Sequence, residues 1–139
     1  MEAALPPRPT AAARFVAPEA PSADAPRAAQ DRYLRDAFRH HSRTFSLATR
    51  LLPRRVQLPV AVLYLYCRTV DTLADERAVV IGSDAALAEV DALEAALGRT
   101  LDGHPPTTGP HALLWTRLAE VHAVYDLPSV PLRQLLDGA

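Results

Sequence analysis

The chain has 139 residues, 49% of them hydrophobic, and a formal net charge of −1. That length allows one domain at most, or part of one, and the composition suits a globular core. The small net charge gives no overall pull towards nucleic acid, and no stretch approaches the ~18 apolar residues that a membrane span requires.

Residues 1–28 are rich in alanine and proline. Repeated prolines remove backbone donors and favour extended chain, so the segment reads as a disordered tail ahead of a domain over 29–139. "DRYLRDAFRHH" then reads as a helix with Tyr33, Ala37 and Phe38 on its inner side. "SRTFSLATRLL" follows after a break, with Ser42 placed to cap it and Pro53 to end it. The next helix is expected from about Leu58, which puts Pro59 in the first turn, where a missing N–H costs least. It runs through "LPVAVLYLYCRTVDTLADERAVV" to about Gly82. Ser83 is placed to cap "DAALAEVDALEAALGRTL", where Leu87, Val90, Leu97 and Leu101 share a face. "DGHPPTTGP" is a loop. Pro110 opens a further helix carrying Leu114, Leu118, Val121 and Tyr125 on one side, and "VPLRQLLDGA" begins another. With no strand pattern, repeat or glycine-rich phosphate loop, the fold class is all-α.

Charge is segregated along these elements. From Arg27 to Arg55, eight arginines meet only Asp31 and Asp36, a net of +6. From Asp71 to Asp102, eight acids meet only Arg77 and Arg99, a net of −6. This suits a metal-bridged polyanion or, more simply, two solvated helix faces. The basic stretch lacks aromatic interleaving and any base-reading motif, which argues against nucleic acid as a partner. The single cysteine, Cys67, lies in an apolar run and reads as a small core residue. With no secretory signal at the amino terminus, the reading is cytoplasmic.

The chemistry concentrates in "YCRTVDTLADE", residues 66–76. On a helix, Tyr64, Arg68, Asp71 and Asp75 fall within an arc of roughly 60°. The other positions of that helix are apolar, and an unpaired buried charge costs several kcal/mol, so the stripe is expected to face a cavity. Carboxylates at one-turn spacing can share a hard cation. Mg²⁺ suits them, since it is commonly held by one or two carboxylates plus substrate phosphates. Arg68 could fork onto the same phosphates. The simpler reading is an intrahelical ion pair on a solvated face.

Two segments carry a resemblance. "HSRTFSLATRLLP", residues 41–53, followed by "VLYLYCRTVDTLADE", residues 62–76, resembles the squalene/phytoene synthase family of head-to-head prenyl-diphosphate synthases. The family shows an "HSxSF"-type segment and then "YxxxRxxDxxxD" on a helix. "VYDLPSVPLRQLLDG" also looks like a later family segment, so the resemblance covers residues about 31–139. It implies part of an isoprenoid-synthase helical bundle and Mg²⁺-dependent condensation of two prenyl diphosphates, farnesyl or geranylgeranyl. By that resemblance Asp71 and Asp75 would be Mg²⁺ ligands and Arg68 would contact diphosphate. Ser42, Arg43 and Thr44 would lie at the phosphate end, and Phe45 would line the prenyl pocket. Tyr64 would face the cavity and steady carbocations. NADPH, which some members use, is not indicated by the sequence, and membrane association, if any, would be peripheral.

The family uses a second aspartate-rich motif, and this sequence contains a single DxxxD. The expectation is therefore an amino-terminal part of the fold, inactive alone, with apolar faces left exposed. The alternatives are half of a split enzyme whose partner chain supplies the second motif, and a non-catalytic helical interaction protein.

Overall fold

A computed structural model describes residues 20–72, 83–109 and 111–137. Those residues form six helices and no strand, as the sequence pattern predicts. They are α1 (Arg27–His41), α2 (Arg43–Thr49), α3 (Arg54–Thr72), α4 (Ser83–Leu101), α5 (Ala112–Tyr125) and α6 (Ser129–Asp137). The expected end of the third helix near Gly82 and the opening role of Pro110 lie outside the described residues, as does most of the Ala/Pro-rich tail.

Helix α3 is the hub. It packs against α1 on one side and α5 on another, and also touches α2 and α6. Helices α4 and α5 pack together, with α6 against α4. The core is the shared apolar product of these contacts. Leu34 comes from α1, Val62, Leu65, Tyr66 and Val70 from α3, Leu97 from α4, Leu118 from α5 and Leu136 from α6. Each fully buried leucine stabilises the fold by about 1.5–3 kcal/mol. Tyr66 adds a polar tie, donating its buried hydroxyl to the Leu132 carbonyl of α6 at 2.7 Å. Burial pushes its pKa well up, so the phenol keeps the proton it donates.

Local chemistry sets the boundaries. Ser42 is extended at φ −152° and accepts a hydrogen bond from the Phe45 amide at 3.2 Å, so it caps α2 as expected. Helix α4 closes in a Schellman motif: Gly103, at φ 85°, donates to the Thr100 carbonyl and His104 to that of Arg99. Asp126 closes α5 in the left-handed region at φ 50°, its amide donating to the His122 carbonyl.

Three expectations are corrected. Helix α1 begins at Arg27, before the expected "DRYL", because Pro26 precedes its first turn and Gln30 anchors it. The buried Gln30 amide donates to the Ala23 and Ala25 carbonyls. Helix α3 begins at Arg54, not near Leu58, so Pro59 sits inside it rather than in its first turn. Leu87 and Tyr125, expected on inner faces, are 59% and 43% exposed, while Leu93 of α4 is buried.

Candidate functional site

Tyr64, Arg68 and Asp71 lie in that order along α3, one to two turns apart on a single face. Asp75, the expected second carboxylate, lies outside the described residues. The face is more open than its apolar flanks suggest: Asp71 is exposed, and Arg68 and Tyr64 are half-buried. Among the described residues, no three His, Cys, Asp or Glu side chains gather as a metal cluster.

Helices α1 and α2 supply the opposite wall. The Phe45 ring stacks on Tyr64 with centroids 5.7 Å apart. Phe38 joins both, at 4.9 Å from Tyr64 and 5.7 Å from Phe45. Offset and edge contacts at these distances contribute about 0.5–1.5 kcal/mol beyond burial. Phe38 is buried and fixed, whereas Phe45 is 47% exposed. The result is an aromatic wall with a firm base and an open lip. Phe38 was legible as a core position. Its place in this wall was not, although its seven-residue spacing from Phe45 across a capped break was a signal.

The guanidinium of Arg68 is the unsettled group. Its Nε is buried and has no hydrogen-bond partner among the described residues. A buried donor left unsatisfied costs about 1–3 kcal/mol, more when charged. An anion beside it would remove that cost. His41, at the end of α1, lies close enough to feel Arg68. Burial, then the Arg68 charge, then His40 hold its pKa below the ordinary 6.5. Nothing in the sequence pointed to this pairing of His41 with Arg68. On the other side of Arg68, burial and then the Asp71 carboxylate push the Cys67 thiol up. Cys67 is a half-buried thiol packed on the core, where burial disfavours the thiolate.

Ser42, Arg43 and Thr44 open α2. Ser42 is committed to its cap, and the Arg43 and Thr44 side chains are exposed. The site thus brings together Phe45, Tyr64, Arg68 and Asp71, with Phe38 and His41 as additions.

The donor set is chemically consistent. Exposed carboxylate oxygen suits a hard cation, and a guanidinium whose buried Nε has no partner among the described residues suits phosphate oxygens. An aromatic wall suits a hydrocarbon chain.

The family model described as squalene/phytoene synthase matches residues 38–139. No curated protein and no solved structure gives a significant match. Among the described residues, no helix is long and apolar enough to cross a membrane.

Proposed function

The chain belongs to the squalene/phytoene synthase family, and from that membership we propose a role in head-to-head condensation of two prenyl diphosphates in the cytoplasm. The observation that carries the site assignment is the buried Nε of Arg68, without a hydrogen-bond partner among the described residues, one turn before Asp71 on α3.

In this reading Arg68 binds the diphosphate of the allylic substrate and neutralises charge that develops as it leaves. Asp71, together with Asp75, would hold Mg²⁺, which supplies electrostatic stabilisation of the leaving diphosphate when bound. The allylic C–O bond breaks and its electron pair leaves with the diphosphate. The double bond of the second prenyl diphosphate attacks the resulting cation, and loss of a proton closes a cyclopropane. Tyr64 and Phe45 line the path of the cation, where ring faces stabilise positive charge and exclude water. Arg43 and Thr44, exposed at the start of α2, would contact the outer phosphate oxygens in this reading. With a single DxxxD in these 139 residues, complete turnover would need a second acidic helix, from further sequence or a partner chain.

Calorimetric titration with inorganic diphosphate tests the site directly. Binding should require Mg²⁺ and should be lost in Asp71→Asn and in Arg68→Gln. Binding that ignores both substitutions would overturn the reading, and so would no binding at all. Turnover is then assayed with farnesyl or geranylgeranyl diphosphate, in the presence of a chain that supplies the second aspartate-rich helix.

A further inference from the structure

Two faces of the bundle complement each other. The first is a depression of about 490 Å³ between α1, α2 and α3, lined by Arg32, Arg35 and Arg50. These three make no ion pair among the described residues. Two acids reach the same depression, but each is already engaged: Asp31 by Arg117 at 2.6 Å and Asp36 by Arg39 at 2.8 Å. Flanking Arg50 in sequence, Leu47 is 61% exposed and Leu51 89%. Large apolar side chains grouped in solvent mark an interaction surface, where a scattered single one would not.

The second face belongs to α4. Val90, Leu93 and Leu97 set the side that this helix turns to the core. At 100° per residue, Asp84, Leu87, Asp91 and Glu94 fall within an arc of about 80° on the opposite side. All four are exposed. The three acids make no ion pair among the described residues. This face is thus a leucine set among carboxylates. Helix α4 packs on α5 and α6, whereas α1 and α2 pack on α3, so one chain offers both faces at once.

We propose that the arginine-lined depression of one copy of the chain receives the outer face of α4 from a second copy. Leu87 settles against Leu47 and Leu51, and the carboxylates of Asp84, Asp91 and Glu94 meet the three arginines. Charge decides the occupant and the pairing. The depression set on its own twofold copy would oppose arginines, and α4 set on α4 would oppose carboxylates. The crossed pairing gives each of these charges a counter-charge and each leucine an apolar partner. The net charge of −1 leaves little overall repulsion between copies. The contact needs neither Mg²⁺ nor a prenyl diphosphate, so it does not rest on condensation chemistry.

Sedimentation velocity of the 139-residue chain, over a range of concentrations and at low and high salt, tests this. Mass should rise with concentration, and salt should reverse the rise. Leu87→Ser should weaken association about tenfold, from the loss of one buried leucine. Arg35→Glu combined with Arg50→Glu should weaken it about a hundredfold or more, because the carboxylates of α4 then face like charge. All three side chains are exposed, so the helical circular dichroism should not change. Leu135→Ser, at an exposed site on α6, should associate as the parent does. Mixing identifies the pairing. The doubly substituted chain keeps a complete α4 face, and the Leu87→Ser chain keeps a complete depression. Together they should form a 1:1 complex at concentrations where neither associates alone. The proposal is overturned by a chain that stays monomeric throughout at low salt, or by association that survives the two arginine substitutions. It is equally overturned by a loss in Leu135→Ser as large as that in Leu87→Ser, or by a mixture that associates no better than its components.

Discussion

Tyr125 donates its hydroxyl to the Arg55 carbonyl at 3.3 Å. That carbonyl is the one whose in-helix donor would be the amide of residue 59, which is proline. The last residue of α5 thus repairs a gap in the second turn of α3. Pro59→Ala restores the missing donor and should stabilise the chain by about 1 kcal/mol. Tyr125→Phe should cost less than about 1 kcal/mol, because water reaches this half-exposed phenol. In the Pro59→Ala background the Tyr125→Phe cost should shrink further. Urea denaturation of the two single variants and the double variant measures this, and additive effects would contradict the coupling.

A buried cation ties α1 to α5. The Arg117 side chain is only 4% exposed, and it donates to Asp31 at 2.6 Å and to Gln30 at 3.3 Å. Glu120 lies 3.3 Å from its Nε and also pairs with Arg27. Asp31→Ala leaves the guanidinium buried with weaker partners and should cost about 3 kcal/mol. Arg117→Met should cost less, because the carboxylate it abandons is a quarter exposed and can be hydrated. Chemical denaturation ranks the two, and the reverse order would show that Arg117 acts mainly through its aliphatic packing.

His41 offers a spectroscopic handle on Arg68. Its folded pKa lies below the ordinary value of 6.5, through burial first and then Arg68 and His40. A histidine depressed in this way binds fewer protons folded than unfolded. Its contribution to stability is complete above pH 6.5 and is lost as pH falls through its folded pKa. Arg68→Gln should raise the His41 pKa towards the ordinary value in an NMR titration. Inorganic diphosphate with Mg²⁺ should raise it too, if the anion settles beside Arg68. A His41 titration that ignores both changes would separate His41 from the site.

Much of this architecture was written in local sequence. The all-α class followed from helical periodicity, and the Ser42 cap followed from its position after "RHH". The core positions Leu97, Leu118 and Val121 followed from spacing along single helices. The misses share a cause. Pro59 inside α3, Arg117 buried against Asp31, and Phe38 against Tyr64 all depend on contacts between helices distant in sequence. Propensity sees one helix at a time. The stripe from Tyr64 to Asp71 was legible as a pattern, but its exposure was not. Exposure depends on what packs over the face of a helix, which spacing along that helix does not record.

The aromatic wall separates stability from binding. Phe38 is 3% exposed, and Phe38→Ala should cost about 3–5 kcal/mol, as for other buried phenylalanines. Phe45 touches the same two rings but is 47% exposed, so Phe45→Ala should cost well under that and leave a folded chain. If Phe45 meets the prenyl chain, the substitution should weaken farnesyl diphosphate binding about tenfold or more, from lost apolar contact. Inorganic diphosphate, which has no chain to lay on the ring, should bind as to the parent. Parallel titrations with the two ligands decide it. Equal losses for both would make the Phe45 ring a support for the phosphate end, acting through its packing on Tyr64. No loss for either would place the prenyl chain away from this wall.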